Sequence, residues 1–191
     1  MDAVSRPDPP AVPPAVPDAA PLVVVMGVSG SGKTTVGGPL AARLGVEYGE
    51  ADQFHPQSNI DKMASGRPLD DADRRPWLEA IGRWLAEHED RGAVATCSAL
   101  KRSYRDALRA AAPGAVFLHL DAPRDVLAPR MEHRSGHFMP PSLLDSQLQT
   151  LEPLEPDETG LVVRSDTPVD TIVDEFVTWW ADLRGPSEET A

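Results

Sequence analysis

The run Leu22-Val-Val-Val-Met26, followed at once by Gly27-Val-Ser-Gly-Ser-Gly-Lys-Thr34, leaves this chain few ways to fold. An apolar, β-branched run of this kind suits a strand buried on both faces of a parallel sheet. The eight residues after it match G-x-x-x-x-G-K-[ST] in full, and Lys33 to Leu44 can continue as a helix. Gly27, Gly30 and Gly32 let the backbone curl until successive N–H groups point inward as a nest for an anion. Strand, loop and helix in this order predict a phosphate-binding loop, with Val28, Ser29, Ser31 and Thr35 completing the cradle. Lys33 is then placed to reach the β- and γ-phosphates, and the Thr34 hydroxyl to hold Mg²⁺. The chain is expected to bind a nucleoside triphosphate.

Strand and helix patterns alternate through the rest of the chain. Short strands are predicted at Val46–Gly49, Ala93–Cys97, Val116–Leu120 and Leu161–Val163. Between them lie a short helix around Ile60 and Met63, and a longer one whose Trp77, Leu78, Ile81, Trp84, Leu85 and His88 share one face. Further helices are predicted from Lys101 to Ala112 and from Pro123 onward. A last one follows Thr167-Pro168-Val169-Asp170, read as a hydroxyl cap, a first-turn proline and a first-turn acid. Its Val169, Ile172, Val173, Phe176, Val177 and Trp180 form a core stripe. The expected fold is α/β, five parallel strands flanked by helices on both faces. Gly37-Gly38-Pro39 and Pro129 fall inside predicted helices and are expected to bend them, because proline removes a helical hydrogen bond.

Composition narrows the class of partner. Thirty acidic against 18 basic side chains give a net charge of −12 over 191 residues, which speaks against a nucleic-acid partner and against a polybasic membrane anchor. Residues 1–21 carry seven of the 20 prolines and one basic side chain, and read as a disordered tail rather than a signal peptide. A domain over 22–184 and a short tail over 185–191 are expected to follow. Cys97 has no second cysteine to pair with, so it is read as a small apolar core residue in a reducing, cytoplasmic setting.

Ligands of open α/β sheets bind beyond the carboxyl ends of the strands. The end of the second strand carries Glu50 and Asp52, spaced so that both can face one side. Asp52 is the candidate base for an attacking hydroxyl, and Glu50 the candidate Mg²⁺ acid, with Asp121 as its alternative. The guanine-reading pattern N-K-x-D is absent, and Asp157-Glu-Thr-Gly160 fits D-x-x-G without the apolar strand that should precede it. Arg130 and Arg134 stand four apart, on one helix face if the helix persists, where they can shield transferring charge.

Several longer strings have no general structural purpose. They are Asp52-Gln-Phe-His-Pro56, Asn59-Ile-Asp-Lys-Met-Ala-Ser-Gly66, Asp73-Arg-Arg-Pro-Trp-Leu78, Cys97-Ser-Ala-Leu-Lys101 with Tyr104-Arg-Asp106, and Gly136-His-Phe-Met-Pro140 with Ser146-Gln147. In this order, over about residues 22–180, the chain resembles the gluconokinases of the compact, shikimate-kinase-like type. The resemblance implies a P-loop kinase with a mobile lid at about 131–142. The implied reaction is ATP- and Mg²⁺-dependent phosphorylation of D-gluconate at its 6-hydroxyl, carried out by a cytoplasmic homodimer. Gluconate is an anionic polyol, so its site needs cations and polar groups. His55, Lys62, Arg67, Lys101, Arg105, His137 and Gln147, with Asp52, are the candidates. The rival readings are a shikimate or nucleoside monophosphate kinase of the same architecture, or a nucleotide-dependent regulatory module. A shikimate kinase is expected to carry Gly-Gly-Gly where this chain has Cys97-Ser-Ala-Leu-Lys101.

Overall fold

The computed structural model describes residues 20–65, 67–132 and 141–185. Five strands, β1 (Leu22–Met26), β2 (Glu47–Glu50), β3 (Ala93–Thr96), β4 (Ala115–Asp121) and β5 (Gly160–Arg164), form one sheet in the order β2-β3-β1-β4-β5. Every pairing is parallel, and Val24 of central β1 stands between Ala95 and Phe117. The helices are α1 (Lys33–Leu44), α2 (Gln57–Ala64), α3 (Asp71–Ala86), α4 (Arg102–Ala111), α5 (Arg124–Glu132), α6 (Pro141–Thr150) and α7 (Val169–Arg184). A 3₁₀ turn, Ala51–Phe54, leads from β2 toward α2.

Side chains alternate across a strand, so β1 feeds two cores. Val23 and Val25 pack with Leu40 of α1 and with Ile172, Phe176 and Val177 of α7. Leu22, Val24 and Met26 pack with Trp77, Leu78, Ile81 and Leu85 of α3 and Leu108 of α4. The whole of β1 is at most 4% exposed, as its continuous apolar run requires. A third cluster, Val28, Leu100, Leu127, Met131 and Leu144, fastens α5 and α6 to the loop after β1.

One local expectation is corrected, and two features are added to the sequence reading. First, α7 begins with Pro168 as its cap and no side-chain cap bond, because Thr167 sits one residue earlier, its N–H given to the Arg164 carbonyl at 3.2 Å. Second, α2 forms where predicted but buries Asn59, whose Nδ2 donates to the Asp73 carbonyl at 2.8 Å, and leaves Ile60 and Met63 more than 40% exposed. Third, α6 was not anticipated from the sequence at all. α1 and α5 run on through Pro39 and Pro129. Pro39 and Thr35 are both exposed, so the Thr35 carbonyl that loses its helical donor lies on the water-facing side of α1. Cys97 is 1% exposed and burial pushes its thiol up to about 12, which keeps it a neutral core group at the end of β3. No described helix is long and apolar enough to cross a membrane.

Candidate active site

Beyond the carboxyl ends of β1, β2 and β3 opens a cleft of about 790 Å³. Its floor is the phosphate-binding loop. Gly27, at φ +142, has no room for a side chain, since a Cβ there would lie 2.8 Å from the Leu120 carbonyl and 2.7 Å from Ser31 Oγ. Gly32 caps α1 at φ 95, and its carbonyl accepts from Val36 N at 2.9 Å, so the helix starts on Lys33 with its positive end toward the cleft. Lys33 Nζ donates to the carbonyls of Gly27 and Val28, both at 3.0 Å, which holds the ammonium along the loop. Ser29, Gly30, Ser31, Thr34 and Thr35 line the same floor. The loop is anchored from two sides. Gly27 N donates to the Ser98 carbonyl at 3.3 Å, and Ser29 N donates to Gln147 Oε1 at 2.7 Å.

Glu50 and Asp52 both reach the cleft. Thr34 Oγ1 donates to Glu50 Oε1 at 3.2 Å, which brings the two candidate Mg²⁺ groups together beside Lys33. Thr96 Oγ1 donates to the same oxygen at 2.8 Å, and the Tyr48 hydroxyl to Glu50 Oε2. Burial and that bond push the Tyr48 phenol up to about 12. One hydroxyl and one carboxylate fit Mg²⁺, which takes few protein ligands and fills its shell with phosphate oxygens and water. The described residues contain no group of three or more His, Cys, Asp or Glu arranged to hold a metal. Asp121, the alternative acid, does not line the cleft.

Asp52 is exposed, on the turn at Ala51–Phe54. That turn is braced by Trp77, whose Nε1 donates to the Ala51 carbonyl at 2.8 Å. The Trp77 ring stacks on His55 at 4.4 Å between centroids and 7° between planes. Burial holds the His55 imidazole below its ordinary value, more than nearby Asp52 raises it. Beside these residues stand Met63, Leu69 and Arg74. At the opposite end the cleft is walled by Arg130, Ser165, Thr167, Val169 and Ile172.

The expected substrate cations are placed differently. Arg105 is corrected outright. It is fully buried, its Nε and Nη2 paired with Glu158 at 2.7 and 2.8 Å, and its remaining donors spent on backbone carbonyls. Lys62, Arg67 and Lys101 do not line the cleft either. Lys62 bonds Asp70 and Asp73, the two members of the capping box of α3, and so ties α2 to α3. Arg67 Nε donates to Ser65 Oγ at 3.0 Å, and Lys101 pairs with Asp71 at 2.8 Å. Gln147 does line the cleft, yet both atoms of its amide are bonded to Ser29, so it seats the phosphate loop. Arg130 donates to Ser165 Oγ and to the Ser165 carbonyl at 3.1 and 3.0 Å, which ties it to the turn after β5. Arg134, His137 and residues 133–140 of the expected lid lie outside the described residues. Arg74, which is not among the sequence candidates, also lines the cleft; it lies in the first turn of α3 beside Trp77, in one of the strings that carry the family resemblance.

A parallel sheet in this order, with a phosphate loop opening onto a polar, acid-bearing cleft, defines a small-molecule P-loop kinase. A model of the shikimate kinase family matches residues 29–175. A gluconokinase of Gluconobacter oxydans is 50% identical over 157 residues, covering 81% of this chain and 88% of that protein. The thermosensitive gluconokinase of Escherichia coli is 45% identical over 142 residues, covering 73% and 75%. Among solved structures, a gluconokinase from Sinorhizobium meliloti superimposes with a TM-score of 0.76 at 50% identity, covering 85% of this chain and 93% of that one. A shikimate kinase from Aquifex aeolicus, at 17% identity and a TM-score of 0.55, shares the fold. The chain belongs to the gluconokinase family.

Proposed function

We propose that the chain transfers the γ-phosphoryl group of ATP to the terminal hydroxyl of D-gluconate, giving 6-phospho-D-gluconate and ADP. The observation that carries this reading is one continuous cleft joining the phosphate loop to a chamber walled by Asp52, His55 and Arg74, in a chain half identical to a gluconokinase. The triphosphate lies along the nest from Val28 to Thr35, with Lys33 against its β- and γ-phosphates. The nucleobase takes the far end, where the Arg130 guanidinium, Val169 and Ile172 suit a flat ring and the hydroxyls of Ser165 and Thr167 suit its edge.

Thr34 and Glu50 would hold Mg²⁺, which would supply shielding of the charge on the phosphate oxygens. Asp52 accepts the proton of the attacking hydroxyl. Arg74 supplies the fork that pairs with the gluconate carboxylate, and His55 offers a neutral imidazole to the polyol. Arg134 and His137, on the lid, are assigned to the phosphates and the sugar acid. The domain is taken as 22–184, working as a cytoplasmic homodimer without nucleic acid or membrane. The test is a coupled ADP-release assay over gluconate, other sugar acids, shikimate and nucleoside monophosphates. Gluconate is expected to give the highest kcat/KM. Faster turnover of shikimate or of a monophosphate overturns the reading, and so does ATP binding without turnover of any acceptor.

A further inference from the structure

Gly37 lies in the second turn of α1, where the phosphate loop makes no demand for glycine and where glycine weakens a helix. The space of its missing side chain is filled from outside. A Cβ at this position would fall 2.8 Å from Cε2 of Tyr48 and 2.9 Å from Cγ2 of Thr96. Both intruding side chains end on one carboxylate. Thr96 Oγ1 donates to Glu50 Oε1 at 2.8 Å, and the Tyr48 hydroxyl donates to Glu50 Oε2. Thr34 Oγ1, from α1 itself, reaches Glu50 Oε1 at 3.2 Å. Tyr48 and Glu50 are two residues apart on β2, an edge strand, and so share the face turned toward α1. Gly49, between them, faces the other way and lies against the Trp84 ring.

We propose that Tyr48 is a positioning residue for the metal-facing acid, and that Gly37 is glycine because the phenol ring occupies the volume its side chain would fill. This rests on reading Thr34 and Glu50 as the Mg²⁺ site. A glutamate side chain has three rotatable bonds. Thr34 and Thr96 hold only one of its oxygens, so the carboxylate can still swing about that point. The Tyr48 bond to the second oxygen removes the remaining freedom and keeps the carboxylate against Thr34. The ring reaches this place only by lying against α1, and that requires a residue without Cβ. Groups that orient a metal-facing ligand in this way are worth roughly 10- to 100-fold in metal affinity.

The test uses Mn²⁺ as a paramagnetic probe, titrated into the full-length protein at saturating ADP, with the free ion measured by electron paramagnetic resonance. Tyr48→Phe keeps the ring and loses the hydroxyl. It is expected to weaken Mn²⁺ binding about tenfold, while ADP affinity without metal stays within about twofold. Glu50→Gln is expected to weaken Mn²⁺ at least as much. On that background Tyr48→Phe should add less than about twofold, since Tyr48 acts only through the carboxylate. Gly37→Ala, which displaces the ring, should lower Mn²⁺ affinity in the same direction. If Glu50→Gln weakens Mn²⁺ and Tyr48→Phe does not, the positioning role is wrong while the metal site stands. An equal loss from Tyr48→Phe on both backgrounds also overturns it, because Tyr48 then acts elsewhere. Unchanged Mn²⁺ affinity in Glu50→Gln overturns the metal assignment and the positioning role with it.

Discussion

Arg105→Met should be among the most destabilising substitutions in this chain, and the hydrogen bonds of Arg105 give the size of the effect. Arg105 and Glu158 are both without side-chain exposure and pair through two bonds, at 2.7 and 2.8 Å. Removing the guanidinium leaves the buried carboxylate with only the more distant Arg102 and Arg109, each at 3.8 Å, which puts the loss at the low end of about 3–5 kcal/mol. Removing both charges together is often harmless in a buried pair. Here it is not expected to be, because Arg105 also donates to the carbonyls of Ala99, Glu152 and Pro153 at 3.2, 3.0 and 3.0 Å. The Ala99 acceptor is buried, whereas those of Glu152 and Pro153 sit on exposed residues in part-buried bonds; losing the donor costs about 1 kcal/mol at the first and less at the others. The pair Arg105→Met with Glu158→Leu should therefore remain roughly 1–2 kcal/mol below the parent. Against a typical total of about 5–15 kcal/mol, either loss is large.

Urea unfolding at pH 7, followed by tryptophan fluorescence, measures both variants. A single-variant loss under about 1 kcal/mol, or a double variant restored to the parent value, refutes the reasoning. The pH dependence adds a second check. Burial raises the Glu158 carboxyl, but the bonds from Arg105 and from Glu155 N outweigh it and hold the group below its ordinary 4.5. A depressed carboxyl lends stability that is complete above pH 4.5 and lost as pH falls through the folded-state value. The parent protein should therefore lose stability more steeply below pH 4.5 than the double variant. The turn Arg105 holds includes Ala99, at φ 44, next to Ser98, whose carbonyl anchors Gly27. A variant that still folds, such as Arg105→Lys, should consequently lose kcat as well.

Other substitutions separate the roles within the cleft. Lys33→Ala should leave the melting temperature almost unchanged yet remove several kcal/mol of transition-state stabilisation, so retention of more than about a tenth of kcat contradicts its role. Asp52→Asn should lower kcat by roughly 10²–10⁴-fold with little change in ATP affinity, whereas a pure rise in gluconate KM would make it a binding residue only. Arg74→Ala should raise gluconate KM by about tenfold or more, and Lys101→Ala much less, as expected for a charge-assisted bond made by one and not the other; the reverse ranking places the carboxylate elsewhere. His55 is held below its ordinary value chiefly by burial, so its imidazole is predominantly neutral at about pH 7 and above. Gluconate KM should change little between about pH 7.5 and 8 and fall only as the ring gains charge at lower pH, a limb that His55→Asn removes. A limb centred at or above pH 7 that vanishes in His55→Asn would show the ring is not desolvated.

The phosphate loop, the strand before it and the core stripes of α3 and α7 were legible in the sequence, because each depends on residues only a few positions apart. Gly27 to Thr34 carry their chemistry in backbone direction and spacing, and Trp77, Leu78, Ile81 and Leu85 declare one face by period alone. The placement of Glu50 beside Thr34 followed from the rule that ligands gather at strand ends. What local pattern could not decide was where long side chains point. Arg74 and Arg105 are both cations at the starts of helices beside the cleft. One faces it and the other is drawn inward by Glu158, 53 residues further on. Gly37 looked like a helix-breaker out of place until Tyr48, from the neighbouring strand, was seen to fill its space. Sequence by itself determined the nest that binds phosphate. Tertiary structure decided which charges face the cleft, because a cation turns toward its nearest buried carboxylate, and that partner comes from a distant segment.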